Sequence, residues 1–277
     1  MRFPSRRIAA YLLLGLFAYL AWLALLYPFQ EWLEHVVESQ VPVPLAFHGT
    51  RVRPWAVSGD SLTLTLPDHR TFAVGAWSLR PDWGGLINGR RRAALSAALL
   101  GGRVTGEIGG TDAAMDLDLT LRDASAAELG QLFPEIRLFD PQGRMQGDIR
   151  LFMADSGQMR QGKFHIEVQD AGAQLPLPPT FVKLGQVRAE GKLGASELTA
   201  YLSAAQGDVT MSARLTVDLA ADAVETRVFG GGSLQANPDA PQPVRLWVKA
   251  LGEQGTVWFR LEGTLAAPRL VVVSGPG

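Results

Sequence analysis

Beyond residue 45 the chain alternates apolar and polar residues with a period of two. Leu117, Leu119 and Leu121 alternate with two aspartates and a threonine. The same alternation recurs over Leu62–Leu66, Phe164–Val168, Met211–Leu219 and Val257–Leu261. Successive side chains of a strand point to opposite faces of its sheet, so this pattern predicts strands with one solvated face and one dry face.

Turn-forming clusters separate these segments at short intervals. They are Pro67–Asp68, Asp155–Gly157, Gly207–Asp208 and Gly230–Gly232. Short connections favour hairpins, which join antiparallel strands. We therefore expect a mainly β fold of about a dozen strands, arranged as an elongated, curved, largely antiparallel sheet with one or two short helices.

One helix is expected within this β-rich region. Ser125-Ala-Ala-Glu128 fits a capping box, in which the serine and glutamate side chains bind the amides that a helix start leaves unpaired. Leu129, Leu132 and Phe133 would form its apolar side, and Pro134 would end it. The pattern predicts a short helix over Ser125–Phe133.

A segment of the chain also repeats with a period near 40 residues. Gly102–Ile108 recurs 41 residues later as Gly143–Ile149, and a looser copy spans Gly185–Leu193. Each copy has a glycine at its start and another inside it. A glycine inside a strand marks a bulge or the close approach of another backbone. The repeat predicts stacked strand units in an extended sheet.

The N-terminal part has a different pattern. Ile8–Leu26 contains no charged residue and would span about 28 Å as a helix, close to the thickness of a bilayer core. Arginines precede it and glutamates follow, which predicts an N-terminus in the cytoplasm and an exported C-terminus. The alternative is a cleaved signal peptide, whose apolar stretch is shorter and ends at a small-residue site. The expected boundaries are 1–7 for the cytoplasmic N-terminus, 8–27 for a transmembrane anchor, 28–44 for an amphipathic linker helix and 45–277 for an exported β-rich domain.

Composition excludes several classes of function. The chain has no cysteine, which rules out disulfides, thiolate metal sites and a cysteine nucleophile. Its net charge of −1 gives no sign of nucleic-acid binding. The four histidines lack metal-binding spacing, and Asp116 and Asp118 fit the solvated face of a strand better than an acid–base pair. We predict no catalytic, cofactor-binding or metal-binding residues.

Two stretches carry a family resemblance. Trp77–Gly89, followed by Ala98–Gly106, resembles the W-x-L-R-P … G … GG-R-x-x-G pattern of type II secretion system protein N, and Leu175–Arg269 is similar to the C-terminal half of that family. Related patterns occur in AsmA-like and TamB-like envelope proteins, whose curved sheets line an apolar groove. The resemblance implies a non-catalytic accessory subunit in the bacterial inner membrane, with most of the chain in the periplasm and with other secretion-system subunits as partners.

Two sets of residues are candidates for contacts. The first set could contact a partner subunit or phospholipid headgroups. It comprises Trp77, Arg80, Trp83, Arg90, Arg91 and Arg92. The alternative is that its tryptophans belong to the core and that its run of arginines is a solvated turn. The second would line an apolar groove or an open apolar face, used by a partner or by lipid, unless a closed barrel or sandwich buries it as core. It comprises Leu117, Leu119, Ile166, Leu215 and Val217.

Overall fold

The computed structural model describes most of the chain beyond residue 44. The described ranges are 45–53, 55–65, 71–82, 84–85, 91–111, 114–132, 137, 139–154, 159–176, 179–219, 226–252, 255–264 and 267–275. The predicted segments 1–7, 8–27 and 28–44 lie outside them. Within these ranges no helix has the length and apolar character needed to cross a bilayer. The chain divides into two compact units after Pro81.

Within its described residues, the first unit contains six short strands. They are β1 (Leu45–His48), β2 (Arg51–Arg53), β3 (Ala56–Gly59), β4 (Ser61–Thr65), β5 (Thr71–Val74) and β6 (Trp77–Pro81). Strands β1, β4 and β5 pair antiparallel in one sheet, and β3 pairs antiparallel with both β2 and β6. The alternating Leu62 and Leu64 lie in β4, which confirms that predicted strand.

Trp77 forms the core of this first unit. Its ring lies 5.5 Å from that of Phe47, and its Nε1–H donates a hydrogen bond of 3.4 Å to the carbonyl of Ser61. The indole also occupies the space that a side chain would need at Gly59, its partner in the β3–β6 pair. Only 8% of Trp77 is exposed, so its side chain belongs to the core and leaves the set of candidate contact residues.

In its described part, the second unit is an antiparallel meander of eleven strands, each hydrogen-bonded to the next in sequence. The strands are β7 (Arg91–Leu99), β8 (Gly102–Thr111), β9 (Ala114–Ser125), β10 (Gln142–Ala154), β11 (Met159–Pro176), β12 (Pro179–Leu193), β13 (Glu197–Ala205), β14 (Val209–Asp218), β15 (Arg227–Ala236), β16 (Thr256–Thr264) and β17 (Ala267–Val273). This confirms a mainly β fold with antiparallel pairing, built from more strands than predicted.

One predicted turn is wrong. Gly230–Gly232 lies in the middle of β15. A Cβ at Gly232 would stand 2.7 Å from both Ala213 Cβ and Phe259 Cζ, so glycine is required there by neighbouring strands rather than by a turn. Gly207–Asp208 does connect β13 to β14, as predicted, whereas Pro67–Asp68 and Asp155–Gly157 lie outside the described residues.

The predicted helix near Ser125 is present but its capping box is wrong. A 3₁₀ turn covers Ala126–Glu128, and a single helical turn, α1, covers Leu129–Leu132. Ser125 makes no side-chain cap, and its backbone N–H already donates to the carbonyl of Leu100 at 2.7 Å. The Glu128 carboxylate instead lies beside Gly101. The Ser125 N–H, which a capping box would pair with the Glu128 carboxylate, is therefore already bound to the loop of the β7–β8 hairpin.

A second helix, α2 (Gln242–Leu251), was not predicted. It follows Pro241, contacts β12, β15 and β16, and ends where the Gly252 N–H donates to the Val248 carbonyl at 2.9 Å. Val244 and Val248 are fully buried on its inner side. Together with Trp247 and Leu251 they follow the spacing of an amphipathic helix, so the sequence contained the signal.

The repeat of about 40 residues corresponds to two strands of the meander. Gly102, Gly143 and Gly185 lie in β8, β10 and β12, which all run in the same direction. Gly143 and Gly185 have φ angles of +128° and +70°, a backbone conformation that residues with a side chain rarely adopt. The sequence repeat is thus a repeat of the hairpin.

Candidate functional site: the apolar face of the sheet

The register of β7–β17 aligns apolar residues in rows that run from strand to strand. Paired residues of neighbouring strands share a face, so the pairings can be followed across the sheet. The central row is Leu95, Gly106, Leu119, Ile149, Phe164, Gly191, Ala200, Leu215, Gly230, Leu261 and Leu270. It crosses all eleven strands without a polar side chain.

Two further rows on the same face are also apolar throughout. Row two is Ala97, Val104, Leu121, Gly147, Ile166, Ala189, Leu202, Ala213, Gly232, Phe259 and Val272. Row three is Ala93, Ile108, Leu117, Leu151, Gly162, Leu193, Leu198, Val217 and Val228. We call these three rows the apolar face. It contains all five predicted groove residues.

A fourth row, the end row, lies under the helices. It is Ala124, Met145, Val168, Val187, Ala204, Met211, Leu234 and Val257. One buried cluster joins Ala124 and Met145 to Ala126 of the 3₁₀ turn, and another joins Val209 to Val244 of α2. Of the residues in the three rows of the apolar face, only Leu121 packs against one of these described clusters. The helices therefore cover one end of the strands.

Most side chains of the apolar face keep partial access to solvent, whereas Ala97, Ala200, Val217 and Val228 are buried. Leu117, Leu119, Ile166 and Leu215 are partly buried, and Val217 is 8% exposed. Ten strand spacings of about 4.8 Å give the face a length of about 48 Å along the sheet, and its three rows span about 13 Å along the strands. This footprint of roughly 600 Å² lies at the upper end of the apolar patches that monomeric proteins expose, and patches of that size often have a function.

Glycines in these rows make room for large neighbours. Phe164 and Phe259 pair directly with Gly191 and Gly232, and each ring occupies the space of the missing side chain. Gly147 likewise accommodates Ile166. These glycines include inner members of the 40-residue repeat, so the repeat encodes alternating small and large positions along the apolar face.

We expect Gly191→Val to destabilise the sheet by about 1–3 kcal/mol, as overpacking does elsewhere. The new Cβ would overlap the Phe164 ring and stand 2.7 Å from the carbonyl oxygen of Thr199, which belongs to the backbone of β13. Urea unfolding would measure the change. The matched control is Gly109→Val on the opposite face, where the new Cβ meets Arg92 Cγ at an ordinary 3.6 Å. Equal midpoints for the two variants would contradict the packing described here.

The opposite face of the sheet is mostly polar and charged, although exposed Phe152, Phe229 and Val271 also lie on it. Asp118 Oδ2 lies 3.0 Å from Arg150 Nε, His165 Nδ1 lies 3.2 Å from Glu190 Oε1, and the guanidinium of Arg214 lies 5.5 Å from the ring centre of Tyr201. A depression of about 820 Å³ is lined by all of the residues in these three pairs except Asp118. Exposed pairs of this kind contribute little to stability. Their charges favour hydration of this face.

Several of the described charged groups of this face lie in pairs. Asp116 and Asp118 lie on the solvated face, as predicted, and Asp118 is engaged by Arg150. Among the residues that the structure describes, no three histidine or carboxylate side chains converge as metal ligands. What the arrangement offers chemically is a binding surface that is apolar on one side and hydrated on the other.

The predicted headgroup-contact residues are distributed over both units. Arg80 and Arg92 are exposed, and Arg92 Nη1 lies 4.0 Å from Glu107 Oε2. Arg91 and Arg92 begin β7, where they pair with Gly110 and Gly109, so the alternative of a solvated turn is wrong for these two. Trp83 and Arg90 lie outside the described residues.

Sequence reasoning missed part of the apolar face. Ile149 and Phe164 lie at the centre of the central row, and Phe259 lies in row two. The last two belong to segments whose alternation was recognised. Register was the missing information, because alternation assigns a residue to a face without saying which residues of other strands lie beside it.

Comparisons with known proteins add no relative. No protein-family model matches the chain, and neither a curated protein nor a solved structure is found to match it.

Proposed function

We propose that this protein is an accessory, non-catalytic component of a type II protein secretion system, anchored in the bacterial inner membrane with its β-rich domain in the periplasm. It acts by holding an apolar partner surface against the apolar face of the β7–β17 sheet. The anchor would raise the local concentration of that surface for neighbouring subunits.

The observation that carries a binding role is the continuity of the apolar face. Three adjacent rows contain no polar side chain, yet the helices of the described residues cover only one end of the strands. Burying such a surface contributes about 25 cal/mol per Å², so a partner that covers it gains a large favourable term. Assignment to a secretion system is supported by the sequence pattern of Trp77–Gly89 and Ala98–Gly106.

A second candidate is a lipid-binding or lipid-transfer module of the AsmA-like and TamB-like kind. The observation that favours it is the absence of hydrogen-bonding side chains along the whole central row. A protein partner usually brings polar groups that need matching, whereas acyl chains bring none. Each buried methylene contributes about 0.8 kcal/mol.

Deletion of the gene tests the first proposal. We expect secreted enzymes to accumulate within the cell envelope of the deletion strain and to return to the medium when the full chain is expressed again. Enzyme activity in medium and periplasmic fractions measures this. Unchanged secretion in a verified deletion strain would contradict the assignment to a secretion system.

Mass spectrometry of the purified full chain separates the two candidates. If the face carries lipid, phospholipid remains bound at a fixed ratio through purification in mild detergent. A chain that restores secretion and retains no phospholipid would favour the protein-contact role. Retained phospholipid with normal secretion in the deletion strain would favour the lipid-binding role.

A further inference from the structure

The last strand of the meander leaves one edge of the sheet open. Among the described residues β17 pairs with β16 alone. Leu270, Val271 and Val272 are 67%, 45% and 49% exposed, whereas Leu261, the β16 partner of Leu270, is partly buried. The central row and row two thus end on exposed leucine and valine side chains.

This edge lacks the features that usually prevent strand pairing. Natural edge strands are short, charged or interrupted. Strand β2, whose one partner among the described strands is β3, follows that rule because it has three residues and two of them are arginines. Strand β17 has seven residues, and Arg269 is its only charged one. A long apolar edge of this kind is a template for another strand.

We propose that β17 pairs with β17 of a second copy of this chain, in antiparallel register about a two-fold axis at Val271. An axis normal to the sheet keeps each face on its own side, so the apolar face of one copy continues into that of the other. In this register Leu270 opposes Val272, and Arg269 opposes Val273. No two charges meet, so the strand is complementary to itself.

The proline of β17 selects this register. A proline is tolerated in an edge strand when its nitrogen faces away from the neighbouring strand. Pro268 then places the backbone donors and acceptors of Leu270 and Val272 on the open side, because these groups alternate in direction along a strand. When Leu270 of one copy pairs with Val272 of the other, all of these backbone donors and acceptors form hydrogen bonds between the two strands. Centring the axis on Leu270 would instead oppose Val272 to Pro268, which has no N–H.

Cysteine cross-linking tests the register. The chain contains no cysteine, so each single-cysteine variant has one reactive thiol. In a non-hydrogen-bonded antiparallel pair the two Cα atoms lie about 4.5 Å apart, within disulfide range. Val271→Cys in the full chain, oxidised in membranes with copper phenanthroline, is expected to give a disulfide-linked band at twice the mass of the chain.

Leu270→Cys is the matched control. The two residues at this position would lie about 8.6 Å apart, beyond disulfide range, although Leu270 is the more exposed residue. We expect roughly a fivefold or larger excess of cross-linking for Val271→Cys. Equal cross-linking at both positions would overturn the proposal. So would the absence of a cross-linked dimer from Val271→Cys, or a Val271→Cys adduct with a protein of different mass.

A lysine variant tests the pairing without a covalent bond. Val271→Lys would place two like charges across the axis, which disfavours pairing. Light scattering in detergent is expected to show a dimer for the parent chain and for Leu246→Lys, which changes an exposed residue of α2, and a monomer for Val271→Lys. An unchanged urea midpoint would show that the variant is folded. A folded Val271→Lys dimer, or a monomeric parent chain, would overturn the proposal.

Discussion

Leu215→Asp is expected to reduce secretion to the level of the deletion strain. Leu215 lies in the central row, between Ala200 and Gly230 on the neighbouring strands. A carboxylate there would have to be desolvated whenever an apolar partner or an acyl chain covered the face, and an unpaired buried charge costs several kcal/mol. Complementation of the deletion strain, scored by enzyme activity in the medium, measures the effect.

The control for this variant lies on the same strand. Ser212→Asp introduces the same carboxylate on the opposite, solvated face of β14, where Ser212 is exposed. It is expected to secrete normally and to change the free energy of unfolding by no more than about 0.5 kcal/mol. Leu215→Asp should remain folded, since Leu215 is only partly buried. A folded Leu215→Asp protein that supports full secretion would refute a functional apolar face.

Val248→Asp is expected to destabilise the second unit by roughly 3 kcal/mol or more. Val248 has no exposed surface, and its helix packs against three strands of the sheet. An aspartate there would lose its hydration without gaining a partner. Urea unfolding, followed by the fluorescence of the tryptophans in α2 and β16, measures the loss because Trp247 and Trp258 lie in these elements.

Leu246→Asp is the control on the same helix. Leu246 is 57% exposed, so its replacement leaves the carboxylate in water and should alter the free energy of unfolding by about 0.5 kcal/mol or less. Similar losses for Leu246→Asp and Val248→Asp would mean that α2 does not pack as described. The two variants therefore show how much free energy of unfolding an aspartate costs in the core and at the surface. The loss measured for Leu215→Asp can be compared with these two values.

Alternation was the most informative part of the sequence. A period of two states directly which residues of one strand share a face, so Leu117 could be grouped with Leu119, and Leu215 with Val217, from their own strands alone. The antiparallel pairing followed from short connections. The structure agrees on both points.

The errors arose where a distant part of the chain determines the local structure. Gly230–Gly232 has the composition of a turn, but the reason for Gly232 lies on the adjacent strands, at Ala213 and Phe259. The capping box failed because Leu100, far away in sequence, accepts the amide of Ser125. Such contacts depend on the register between neighbouring strands. Hydrophobic patterning describes only which residues of a single strand share a face.

The meander also determines the order in which the second unit can form. Every strand from β8 onward finds its first partner in the strand that precedes it along the chain. During synthesis from the N-terminal end, each new strand therefore meets an edge that is already folded, with no need to wait for a distant segment. Contacts between sequence neighbours close quickly, and arrays whose units contact only their neighbours fold by propagation from a nucleus. Growth has no built-in stop in such a scheme, which makes the last strand the point where assembly either ends or passes to another molecule.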